Sequence, residues 1–356
     1  MKLTTSTEAL KKAMVSVQAL ISEHQVILKA DKGSNILTIE AGSDGAYLRQ
    51  KIPASVTEAG EVVINSTYIS SLQLAEKVEL STVNDSSMSF TSGTMSGVLQ
   101  THQAVQKIAD QRPLNDIPIQ IELSKDIVTK SIAKSNFNSA LTQTQEGLRV
   151  KIDANIAVSI TDSYRCSLYK EKLPFHKTTI DFQIKPTMLS LAVSKVEEQE
   201  VWFGLGKGLI KIASPSFEFY HPTMQSEPTD VEAWLESIDH NTRLGEITTN
   251  VQDLIKTLSA VTSITGGPGA DVKLICAIKG NVLHVEVAAA HGSAKADLQL
   301  IESSCDDYKV VLHSKYTTEM LSLIKDGVVN IGLYEDIIIL SSGDGKCTNV
   351  VPTVSI

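Results

Sequence analysis

Lys2-Leu-Thr-Thr-Ser-Thr-Glu-Ala-Leu-Lys-Lys-Ala-Met-Val-Ser-Val-Gln-Ala-Leu-Ile-Ser22 carries the reading that decides the fold. Its first four residues are a short strand rich in threonine. Ser6 follows, a side-chain oxygen suited to the unpaired amides that open a helix. From there to Ser22, Leu10, Ala13, Met14, Val17, Leu20 and Ile21 recur at the three–four spacing of one apolar stripe, with Lys11 and Lys12 off it. The unit is thus a strand, a polar cap and an amphipathic helix.

The same unit recurs along the chain, and repetition at a fixed period is a strong sign of a repeat-built architecture. Val62-Val-Ile leads to a helix over 65–75, and Ile119-Gln-Ile-Glu-Leu to one over 124–140. Ile180-Asp-Phe-Gln-Ile leads to 186–196, Gly245-Glu-Ile-Thr to 248–264, and Tyr308-Lys-Val-Val-Leu to 314–325. The six starts are 59, 59, 62, 62 and 66 residues apart. Ser6, Asn65, Ser124 and Ser314 offer capping oxygens, and Pro186 suits a first helical turn. In the third helix Ile127, Val128 and Ile132 make the apolar side. In the fifth it is Val251, Leu254, Ile255, Leu258 and Val261. Strand-like stretches such as Ile156-Ala-Val-Ser-Ile and Val282-Leu-His-Val-Glu-Val fill the intervals, broken by turns such as Lys279-Gly-Asn. Each unit therefore reads as βαβββ.

Two breaks fall after even numbers of units: Arg112-Pro-Leu-Asn-Asp-Ile-Pro118, and Ser226-Glu-Pro-Thr-Asp230 leading into a short acidic helix near 231–238. The expected division is three domains of two units each, over 1–116, 117–236 and 237–356. The class is α+β, with antiparallel sheets and one helix per unit.

The chain has 356 residues, 42% hydrophobic and 21% charged, enough for several buried cores and unlike a disordered chain. No charged leader precedes an apolar block near Met1, and apolar runs such as Ile337 to Leu340 are far too short to span a membrane. Cys166, Cys276, Cys305 and Cys347 form no CxxC pair and read as reduced thiols in a cytoplasmic protein. Gly204-Leu-Gly-Lys-Gly208 lacks the spacing of a phosphate loop and reads as a hairpin turn. Thr265-Gly-Gly-Pro-Gly269 reads as a loop. The eight histidines form no HxxxH or HExxH, and no carboxylate pair is marked for catalysis. We expect no enzyme, no metal and no cofactor.

A net charge of −9 argues against nucleic acid as a partner until the charge is sorted by element. The six helices hold nine lysines (Lys11, Lys12, Lys125, Lys130, Lys134, Lys195, Lys256, Lys315 and Lys325) against Glu8, Asp126, Asp253 and Glu319. That is +5 on the helices and −14 elsewhere. If the helices share one side, that side is basic and can hold phosphates without reading bases.

At this point the chain resembles the bacterial-type sliding clamp, the β subunit of the replicative polymerase. Met1-Lys-Leu-Thr before a helix with Glu8, Leu10 and Lys11-Lys12 is similar to that family's start. Thr161-Asp-Ser-Tyr-Arg165 stands where the family has Thr-Asp-Gly-His-Arg-Leu, Ser314-Lys-Tyr316 resembles its Ser-Tyr pair, and Val350-Val-Pro-Thr-Val resembles its Val-Met-Pro-Met ending. The resemblance implies half of a closed ring, with inner helices, outer sheets and two chains per ring. It implies duplex DNA, a replicative polymerase, a clamp loader and other peptide-bearing proteins as partners, and no membrane. It implies a peptide pocket walled by Thr161, Tyr164, Arg165, Cys166, Tyr316, Ile337, Val350, Val351 and Pro352, with Tyr316 and Arg165 at its edge. It also implies a dimer joint between Leu99 and Ile264. Ser163, Tyr164 and Cys166 depart from the family's glycine, histidine and leucine, departures that imply a peptide preference different from the usual one. The competing expectation is a repeat-built interaction or assembly protein with no DNA role.

Overall fold

The computed structural model describes the chain except residues 103–107, 138–146, 163, 175–177, 225–228, 265–271, 290–291, 306, 326 and 355–356. Ser163, the 265–269 loop and most of the 226–230 break therefore lie outside the described residues. Six βαβββ units follow one another as the periodicity predicts. Their helices are α1 (Thr7–Leu20), α2 (Ser66–Ser71), α3 (Lys125–Ser135) and α4 (Pro186–Lys195), then, after a short connecting helix α5 (Val231–Ser237), α6 (Val251–Ser263) and α7 (Ser314–Ile324).

The helix starts show local chemistry at work. Ser6 accepts from the Ala9 amide at 3.4 Å, and Asn65 from Thr67 at 2.9 Å. The fifth start differs from expectation. Residues Gly245–Asn250 remain strand, paired with Val328–Leu333, so the helix opens at Val251 and Asn250 caps it by accepting from Gln252 and Asp253. The sixth differs too. His313 is the capping residue and gives no side-chain bond, while Ser314 is buried and its hydroxyl accepts from the Val272 amide at 3.1 Å. The second helix stops at Ser71 rather than 75.

Contacts divide the chain into two compact units. The first is Met1–Thr129 with Thr187–Gln225, and the second is Lys130–Pro186 with Ser226–Ile356. The first unit holds one twelve-stranded antiparallel sheet. Its main path begins at Met95–Gln100 and passes through Lys2–Ser6, the long strand Ala46–Glu58 and Phe217–Pro222 to Ile121–Ser124. Leu10, Ala13, Met14 and Val17 of α1 are fully buried in this unit. Side chains of that size contribute about 1.5–3 kcal/mol each when fully buried, alanine less.

The 112–118 break is fastened to the first unit rather than left as a free linker. Arg112 pairs with Glu40, Asp116 bonds Lys211 and Tyr220 at 2.8 Å each, and Ile117 is buried beside Tyr47 and Tyr220. Gly204 is required by this docking, because a methyl group there would collide with the Pro118 carbonyl. The Gly204–Gly208 stretch is a hairpin, as its composition suggested, joining Glu200–Gly206 to Leu209–Ala213 with Gly208 at φ +71°.

The second unit holds a nine-stranded and a four-stranded antiparallel sheet. The nine-stranded sheet runs from Ile180–Ile184 through Asn155–Thr161, Cys166–Lys172, Cys347–Pro352 and Ile337–Ser342 to Gly245–Asn250 and Glu302–Ser303. The four-stranded sheet has Gly292–Gln299 at one edge. Val251, Leu254, Leu258 and Val261 form the buried face of α6, which packs beside α7. All four cysteines are free and buried. No described helix is long and apolar enough to cross a membrane.

Candidate functional site

Strand register builds an apolar slot in the second unit. Thr161 lies opposite Cys166, Cys166 opposite Val350, and Val350 opposite Ile339, while Ile337 lies opposite Pro352. Side chains alternate along a strand, so Thr161, Cys166, Val350, Pro352, Ile337 and Ile339 share one face. There Cys166 and Val350 cluster with Ala157, Leu168 and Val231, and Leu235, Ile337 and Ile339 pack against them. Burial, and then the charge of Asp162, pushes the Cys166 thiol up to about 12, so it acts as a small apolar side chain in the slot.

Two expected members of the slot are placed elsewhere. The alternation that puts Val350 in the slot sends Val351 to the opposite face, opposite Ile338, where both are fully buried. Arg165 is not at the edge, because its side chain is wholly buried. Asp162 accepts from its Nε at 3.1 Å and Nη2 at 2.8 Å, and Glu319 accepts from Nη1. The guanidinium carbon lies 4.5 Å from the Phe137 ring centre and 4.3 Å from that of Tyr316. The turn above it is tied by Thr161, whose hydroxyl donates to the Arg165 carbonyl at 2.9 Å, leaving Tyr164 exposed.

The short acidic helix expected near 231–238 is α5, and it lies against the slot. Val231 and Leu235, four residues apart, pack on the slot cluster, with Trp234 41% exposed beside them. The helix is held to the sheet by ion pairs. Arg149 bridges Asp181 at 2.8 Å and Asp230 at 3.0 Å, and Glu232 pairs with Lys151 and Lys170. Asp230 also caps the helix, accepting from the Ala233 amide at 3.0 Å.

The helix lysines fall into two kinds. In the first unit, Lys11, Lys12, Lys125 and Lys195 line one cleft of about 760 Å³ together with Glu8 and Glu197. Lys12 pairs with both of these acids, and Lys125 donates to the Val196 carbonyl. In the second unit, Lys130 pairs with Glu171 at 3.6 Å, Lys256 with Asp253 at 3.9 Å, and Lys134 donates to the Ile324 carbonyl at 2.6 Å. Lys11, Lys195, Lys315 and Lys325 have no ion pair or side-chain hydrogen bond among the described residues. Leu99 lies opposite the buried Met88 on the first unit's edge strand and is only partly buried. Ile264 is 55% exposed at the end of α6, beside Gly292, the first residue of the second unit's edge strand. Among the described residues no group of three or more His, Cys, Asp or Glu could hold a metal.

Neither a family model nor a curated protein matches this sequence. Solved structures do match, over the whole chain. The β subunit of DNA polymerase from Streptococcus pyogenes is 17% identical with a TM-score of 0.85, each chain covered completely. The DNA polymerase sliding clamp from Bacillus subtilis is 15% identical with a TM-score of 0.86, covering 100% of this chain and 99% of that one. The sliding clamp from Pseudomonas aeruginosa is 16% identical with a TM-score of 0.84, both chains fully covered. The fold is therefore the DNA clamp fold. Its form here is six βαβββ units in one chain, over the full length of these clamp structures.

Proposed function

We propose that the chain is a sliding clamp, a processivity factor that encircles duplex DNA and tethers a replicative polymerase. The observation that carries this is the full-length match to clamp structures at TM-scores of 0.85 and 0.86. Two copies join head to tail, since a contact between two different surfaces must close a ring or polymerise. The three pairs of units, 1–116, 117–236 and 237–356, are its domains. The lysines on and beside the helices, above all Lys11, Lys195, Lys315 and Lys325, which have no ion pair or side-chain hydrogen bond among the described residues, face the duplex and hold phosphates independently of sequence. The slot around Cys166, Val350, Ile337 and Pro352 takes a short apolar-ended peptide from the polymerase, the clamp loader or other partners. The activity is tethering rather than catalysis, and the setting is cytoplasmic.

Retention on DNA tests the reading. A protein of net charge −9 should bind open linear DNA poorly and hold a nicked circle by enclosure once a loader has opened the ring. Linearising the circle should release it. Equal retention before and after linearisation would remove enclosure. No retention in either form, together with no stimulation of primer extension, would return the assembly protein without a DNA role.

A further inference from the structure

The rim of the slot has more carboxylates than cations to pair with them. Helix α5 brings Asp230, Glu232 and Glu236 to one side. The turn before Ile337 brings Glu335 and Asp336, both exposed, to another, and its backbone receives the Thr353 amide at 2.8 Å. Most of the nearby cations are already engaged, while Lys172, on the Cys166 strand, is exposed and has no ion pair among the described residues. Arg149 is held by Asp181 and Asp230, Lys151 by Asp153 and Glu232, Lys170 by Glu232, and Arg243 by Glu246 at 3.0 Å. Glu335 and Asp336 have no ion pair among the described residues, and Glu236 has only the longer-range field of Lys170, whose ammonium is bonded to Glu232. Trp234 stands exposed on the same helix, and an exposed indole face attracts lysine and arginine.

We propose that the slot selects peptides whose apolar end is flanked by lysine or arginine. The apolar floor supplies a seat for the hydrophobic residues, and the surplus carboxylates with Trp234 supply attraction for cationic neighbours. An acidic flank would meet more like charge, from Glu236, Glu335 and Asp336, than the exposed Lys172 offsets. Complementary rim charge acts mainly on selectivity and association, and is screened by salt. This inference rests on reading the slot as a peptide site.

The test uses the full chain and two labelled synthetic peptides with the same apolar residues, one flanked by lysines and one by glutamates. Fluorescence anisotropy is read at low and at high salt. The lysine peptide should bind roughly fivefold tighter at low salt, with the gap closing as salt rises. Replacing Glu335→Gln and Asp336→Asn, both at the surface, should narrow that gap without changing the fold. Equal binding, or tighter binding of the glutamate peptide, overturns the charge preference and leaves the slot standing. Binding of neither peptide overturns the preference and the slot reading together.

Discussion

Arg165 makes its contacts with four residues drawn from three places in the chain: Asp162 beside it, Phe137, and Tyr316 with Glu319 on α7. A buried cation held this way stabilises only as a set, because removing one partner leaves the other charge unsatisfied in a dry site. Arg165→Met should therefore destabilise the protein by about 3–5 kcal/mol, mostly through the stranded Asp162. The double replacement with Asp162→Leu should recover part of the loss. Urea unfolding curves for the parent and the two variants check this, and a single variant within about 1 kcal/mol of the parent would show that the cluster contributes little. The sequence could not announce this burial, since arginine is normally exposed and, Asp162 apart, its partners are distant in the chain. The same limit explains Val350 and Val351. Two adjacent valines announce a buried strand, but only the register with Ile338 and Ile339 says which of them faces the slot.

At the level of elements much more was legible. The helix starts were visible because a capping oxygen, or at Pro186 a residue suited to the first turn, is a local signal before an apolar stripe. They slipped only where tertiary pairing overrode it, as where the strand Gly245–Asn250 keeps three more residues extended. Helix α5 is too short to be stable alone, with seven residues, and depends on its cap and its ion pairs. The Asp230 carboxyl is held below its usual range, first by the Ala233 amide and then, against the opposing effect of burial, by Arg149. A depressed carboxyl contributes stability fully above its unfolded-state value, near ~3.9, and loses it as pH falls through the lower folded-state value. Acidification below about pH 4 should thus loosen α5. Asp230→Ala should loosen it at neutral pH by about 1 kcal/mol. Trp234 emission in a Trp202→Phe background reports both, and an emission unchanged by either would show that the cap is not what holds the helix.

For the whole molecule, the two sheet edges matter most. Among the described residues, the edge strands Met95–Gln100 and Gly292–Gln299 each leave one side unpaired, a condition proteins usually cover. Leu99 and Ile264 beside them are incompletely buried, which is what a joint between two copies would complete. Sedimentation should give twice 38.5 kDa, and Leu99→Asp should return it to the single-chain mass without loss of secondary structure. A parent that sediments as one chain at micromolar concentration would remove the joint. The strand Ala46–Glu58 has a different consequence, one of timing. Along one side it pairs first with Phe217–Pro222 and then with Lys2–Ser6, while Ile36–Ser43 covers the other side. A chain emerging from the ribosome can therefore form its first two repeats early. Half of one edge of its longest strand must nevertheless wait about 170 residues for the segment that closes it. Until then the nascent chain carries an open template for misassembly, and a fragment cut before Phe217 would carry it permanently.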